Sequence, residues 1–134
     1  MRIVIDANVL MSGIFFGGTP GQIIEAWKDG RLAFVLSPSI LDEYRRVGDE
    51  LESEYGDFGL SSILTVLVGN SEIIDAPDLE DGVARDPDDD KFLACASAGG
   101  VSIIVSGDFD LQSLGTWKEI SVLSPREFVD EYLT

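Results

Sequence analysis

The chain has no histidine, one cysteine, and only 9 lysines and arginines against 25 aspartates and glutamates. Each scarcity removes a class of chemistry. Without histidine there is no Ser–His–Asp or Cys–His catalysis and no His-ligated zinc. The single Cys95 excludes an internal disulfide, a cysteine zinc site and a redox pair; in the run Phe92-Leu93-Ala94-Cys95-Ala96 it reads as a small buried hydrophobe. The formal charge of −16 opposes a nucleic-acid binder working through a broad basic face. No apolar run approaches the roughly 20 residues of a membrane span. The N-terminus becomes acidic at Asp6, too soon for a secretory signal. A soluble, cytoplasmic protein is expected.

What is present is a core-forming chain of 134 residues, 45% hydrophobic, the size of one domain. Ile3-Val4-Ile5, Ala33 to Leu36, Val101 to Val105 and Ile120 to Leu123 read as buried strands. Glu72 to Asp75 reads as a short strand at an edge. Asn8 to Phe16 is apolar and runs into Gly17-Gly18-Thr19-Pro20. Helices are expected from Gln22 to Lys28, from Pro38 to about Leu51 or beyond, and from Leu60 to Val68. Two more are expected over Phe92 to Ala98 and Pro125 to Leu133. Asp49 to Gly59 reads as a solvated elbow, and Asp78 to Asp90 as an acidic connection. The alternation predicts one α/β domain over residues 1–134, a sandwich around a mostly parallel sheet.

In such sheets functional groups sit at the carboxyl ends of strands. Two strands end there in an acid, Asp6 and Asp108; each also suits the capping of a following turn. On the helix opening at Pro38, with Ile40 at 0°, Leu41, Tyr44, Val47 and Leu51 span about −20° to 100°. Glu43 falls near −60°, on the flank of that apolar stripe, where it faces either solvent or a strand end.

Asp86-Pro87-Asp88-Asp89-Asp90 opens like a calcium loop. Position six of an EF-hand requires Gly and position twelve Glu, but these are Lys91 and Ser97. Acids also favour the first turn of a helix, although four in five positions exceed that need. No phosphate-binding loop or dinucleotide fingerprint is present. Ser106-Gly107-Asp108 has no histidine to activate the serine. Asp6, Glu43, Asp90 and Asp108, brought together, would take up protons or cations. Oxygen-only donors suit Mg²⁺ or Mn²⁺, and metal-assisted phosphodiester hydrolysis is the chemistry that needs no histidine.

Four ordered segments carry a family resemblance. Ile3-Val4-Ile5-Asp6-Ala7-Asn8-Val9-Leu10, Ser39-x-x-x-Glu43-Tyr44, Asp86 to Leu93, and Ser106-Gly107-Asp108-x-Asp110-Leu111 together resemble the motifs of a PIN domain. The nearest subgroup is that of toxin components of toxin–antitoxin systems. The resemblance spans nearly the whole chain. It implies a three-layer α/β/α fold, an endoribonuclease site using one or two Mg²⁺ or Mn²⁺ ions, an RNA substrate, a homodimer and a basic antitoxin partner. By position, Asp6 matches the first acid of the family, Glu43 the second and Asp108 the fourth. The third falls in the aspartate run, on Asp90, with Asp89 as the alternative. Asp110 would contribute through water, and Asn8 and Ser106 would orient Asp6 and Asp108. Arg45, Arg46, Arg85 and Lys91 are the cations nearest the expected cleft and the candidate phosphate contacts. The competing class is a non-catalytic acidic module that binds a basic protein partner. Fifteen aspartates against three lysines also suit a high-salt cytoplasm.

Overall fold

The computed structural model describes residues 1–134. β1 (Arg2–Ile5) is a continuous β-branched run, and Ile3, Val4 and Ile5 are fully buried. Burial on both faces is what a central parallel strand requires. It leads into α1 (Ala7–Phe15) and α2 (Gly18–Lys28), then β2 (Ala33–Leu36). α3 (Pro38–Tyr55) starts with Ser37 accepting the Ile40 amide and Pro38 in its first turn. α4 (Leu60–Gly69) and the short edge strand β3 (Glu72–Ile73) follow. A long acidic connection ends in a 3₁₀ turn over Pro87–Asp89, continuous with α5 (Asp90–Gly99). The chain then forms β4 (Ile103–Val105), α6 (Phe109–Gln112), β5 (Thr116–Trp117), β6 (Ile120–Leu123) and α7 (Pro125–Phe128).

The sheet order is β3-β2-β1-β4-β6-β5. β1 pairs in parallel with β2 and β4, and β4 in parallel with β6; only the β5–β6 edge is antiparallel. α5 packs across β1, β2 and β4, and α1 packs on α2 and α3. This is the expected α/β/α sandwich with a mostly parallel sheet. A single cluster of 33 buried residues, including Phe34, Tyr44, Phe92 and Phe128, forms its core. Cys95 is fully buried within it, and burial pushes its thiol up to about 12, so it is unreactive.

Several elements differ from the sequence expectation: α1 and α6 were not among the expected helices, and α2 begins at Gly18, not Gln22. The elbow placed at Asp49 begins only after Tyr55, because α3 runs four residues, about one turn, past Leu51. Gly56, at φ +100°, ends it, and the Glu52 carboxylate accepts the Phe58 and Leu60 amides to fasten the turn into α4. The hairpin strand β5 was not expected. Its two-residue turn, Lys118-Glu119, has φ of +48° and +64°, a conformation whose usual signal is Asn-Gly. The last helix keeps α geometry only to Phe128 and winds as a π-helical turn over Val129–Leu133.

Candidate active site

β1 and β4 are adjacent and parallel, with Ile5 in register with Val105, so their carboxyl ends present Asp6 and Ser106-Gly107-Asp108 side by side. Asp6 is 6% exposed. Its Oδ1 caps α1 by accepting the Val9 amide at 2.8 Å, while Oδ2 accepts a short hydrogen bond from the Ser106 hydroxyl. Burial raises the Asp6 pKa, and the bonds from Ser106, Val9 and Gly107 oppose that rise. Asp108 caps α6: Oδ1 accepts the amides of Asp110 at 2.8 Å and Leu111 at 3.3 Å. Ser106 Oγ also accepts the Asp108 amide at 3.0 Å, so one fully buried serine holds both acids. Capping and site-building, alternatives in the sequence, are combined here in the same two residues.

Glu43 arrives from α3. The adjacent Tyr44, fully buried on the apolar stripe, donates its hydroxyl to the Ile5 carbonyl and thereby pins α3 to the end of β1. Glu43 Oε1 then lies 3.0 Å from Lys91 Nζ and 3.6 Å from Arg46 Nη2.

The aspartate run divides its labour. Asp86 caps the 3₁₀ turn by accepting the Asp88 amide. Asp90 accepts the amides of Ala84 at 2.7 Å and Val83 at 3.2 Å, clamping the connection that precedes it. Asp89 faces the other acids. Desolvation pushes its carboxyl up to about 7, reinforced by the charges of Asp108, Asp86, Glu43 and Asp6. Asp89 Oδ2 is one of two buried side-chain polar atoms without a hydrogen-bond partner, the other being Ser71 Oγ.

Of the remaining candidates, Asp110 pairs with Arg85 at 3.4 Å. Asn8 is exposed and its side chain makes no hydrogen bond; it lines a cleft of about 350 Å³ with Val9, Ser12, Gly107 and Asp108. Arg46 reaches both Glu43 and Glu50, whereas Arg45 is exposed toward α4 beside Asp49 and Leu64. Tyr44 and Gln112, whose amide donates to the Ser106 carbonyl at 2.6 Å, are positioning residues the sequence reading did not assign. Tyr44's place beside Glu43 on the buried stripe was its available signal. Gln112 had none. The largest hollow, about 750 Å³, lies elsewhere, against Leu10, Ile14, Ile63 and Val66, and contains none of these acids.

The decisive comparison is with protein families. The sequence profile of the PIN domain family matches residues 2–110, a span that includes every one of these acids. The chain belongs to the PIN domain family. Among solved structures, this PIN domain is similar in fold to VapBC2 from Rickettsia felis, solved bound to a DNA fragment from its promoter. That likeness has a TM-score of 0.61 at 15% identity, covering 92% of this chain and 98% of that one. It is also similar to VapC20 of Mycobacterium tuberculosis, described as a sarcin–ricin loop cleaving toxin (TM-score 0.59, 14% identity, 89% and 98% coverage). A third likeness is to PAE2754 from Pyrobaculum aerophilum (0.61, 14%, 97% and 88%). No curated protein matches it in sequence. No helix of this PIN domain is long and apolar enough to cross a membrane.

Chemically, the strand ends gather carboxylates and little else. No three acids approach as closely as a closed coordination shell requires. Asp6, Glu43, Asp108 and Asp110 each lean on a hydrogen-bond or ion-pair partner, whereas Asp89 has none. The donor set nevertheless suits a hard divalent cation, because it is all oxygen and includes a buried carboxylate oxygen with nothing to accept from.

Proposed function

We propose that this PIN domain is a Mg²⁺- or Mn²⁺-dependent endoribonuclease, the toxin of a toxin–antitoxin pair. The observation that carries the reading is Asp89: a carboxyl turned toward Asp6 and Asp108 with one buried oxygen unpartnered. Asp6, Asp89 and Asp108 are the residues that would hold the metal, with Asp89 rather than Asp90 as the third acid. When bound, the ion offsets negative charge on a phosphodiester and lowers the pKa of water.

The chain's own residues supply the rest. Ser106 fixes the orientation of Asp6 through Oδ2 and of Asp108 through its amide. Buried Ile5 and Val105 beneath them form a rigid floor, which holds catalytic groups better than a loop does. The cleft past Asn8 and Ser12 gives a strand of RNA a path to Asp108. Arg46, Arg85 and Lys91 are the cations on the rim within reach of phosphates, so the grip on RNA is local and weak. Exposed acids at Asp49, Glu50, Glu54 and Asp57, and at Asp75, Asp78, Glu80 and Asp81, suit a basic antitoxin. A homodimer belongs to the same proposal.

The test is cleavage of single-stranded RNA, duplex RNA and single-stranded DNA in Mg²⁺, Mn²⁺ or EDTA. Mn²⁺-dependent cutting of single-stranded RNA is expected, abolished by Asp6→Asn with the fold retained. Absence of both Mn²⁺ binding and cleavage would instead assign the acids to docking a basic protein.

A further inference from the structure

The acids at the strand ends differ in what already neutralises them. Asp6, Asp89 and Asp108 have no lysine or arginine nitrogen within 4.0 Å, Asp110 has Arg85, and Glu43 has both Lys91 and Arg46. The Lys91–Glu43 pair is also the most enclosed ion pair in the molecule, with side chains 22% and 14% exposed. Coulomb attraction is stronger there than at a fully solvated pair.

Lys91 is moreover misplaced by local rules. It is the second residue of α5, where the helix dipole disfavours a cation. It is anchored there by Phe92 and Leu93, both buried, and by the turn that delivers Asp89. A residue that breaks a local preference and is satisfied only by a site acid points to the site for its reason.

We propose that the Lys91 ammonium is a built-in cation of the active site, occupying Glu43 so that the chain seats one divalent ion instead of two. Two-ion sites place their metals about 3.5–4 Å apart and share carboxylates between them. An ammonium fixed 3.0 Å from Glu43 Oε1 withdraws that carboxylate from sharing and repels a second ion. The single ion then belongs to the three uncompensated acids, Asp6, Asp89 and Asp108. Glu43 becomes a positioning residue for Lys91, which keeps a positive charge facing the site. The inference rests on the nuclease reading above.

The test is calorimetric titration of the metal-free full chain with Mn²⁺, which reads stoichiometry independently of turnover. One ion per chain is expected for the wild type and for Lys91→Arg. Lys91→Met, similar in length but uncharged, is expected to bind two. Two ions on the wild type, or one ion on Lys91→Met, overturns the inference and leaves the nuclease reading standing. A wild type that binds no ion overturns the nuclease reading itself.

Discussion

Ser106 Oγ donates a hydrogen bond to Asp6 Oδ2 from a point one hundred residues further along the chain. The same oxygen accepts the Asp108 amide, so the relative placement of the two strand-end acids passes through one hydroxyl. Ile3 to Ile5 and Ile103 to Val105 beneath it are buried, and the serine itself has no solvent access. The hydroxyl therefore has no water to take its place.

Ser106→Ala tests that link. It leaves a buried carboxylate oxygen and a backbone amide without partners, at a cost of about 1–3 kcal/mol. Denaturant unfolding should show this loss. Mn²⁺ affinity should fall by about 10- to 100-fold, the range for removing a group that orients a metal ligand.

The pH dependence of stability has a sign set by Asp89 and Asp6. Both carboxyls have a raised pKa, Asp89 to about 7. The folded chain thus binds these protons more tightly than the unfolded chain, whose aspartates titrate near about 3.9. Their stabilising contribution is complete below the unfolded value and is lost as pH rises through about 7. In EDTA, thermal melts of the wild type should fall between about pH 5 and 8. Asp89→Asn should flatten that decline and melt higher than the wild type at about pH 8. An identical profile in the variant contradicts the assignment of the uncompensated charge to Asp89.

Gly13 sets how closely α1 approaches α2. A Cβ there would lie 2.7 Å from both the Pro20 carbonyl oxygen and Ile24 Cγ1, and the former is backbone that cannot rotate away. Gly13→Ala should destabilise the fold by about 1–3 kcal/mol despite its better helix propensity. Urea denaturation reads the difference directly.

Much of this structure was legible in the sequence because its signals are local. Ile3-Val4-Ile5 and Ala33 to Leu36 are short and apolar; Asp6 follows the first directly, and Asp108 follows Ile103-Ile104-Val105 after Ser106-Gly107. What was not legible depends on backbone conformation without a side-chain signature. The Lys118-Glu119 turn takes two positive φ values on residues that rarely adopt them, so β5 left no trace. The extra turn of α3 depends on Glu52 reaching forward to amides beyond Gly56. The different partners of Asp89 and Asp90 were invisible for a similar reason. Adjacent residues at the junction of a 3₁₀ turn and a helix point to different sides, and the Val83-Ala84 backbone that Asp90 clamps has no signature in the sequence.

That difference also supplies the most direct test of the central claim. Asp89→Asn and Asp90→Asn differ by one position, and each removes one carboxylate. Mn²⁺-dependent cleavage of a single-stranded RNA by the two variants, beside the wild type, should separate them. Asp89→Asn is expected to lose at least about 100-fold in cleavage rate while keeping its fold, a loss of about 2.7 kcal/mol in barrier lowering. Asp90→Asn is expected to cut within about tenfold of the wild type and to unfold at lower urea. The opposite pattern, an active Asp89→Asn and a stable but inactive Asp90→Asn, contradicts the account.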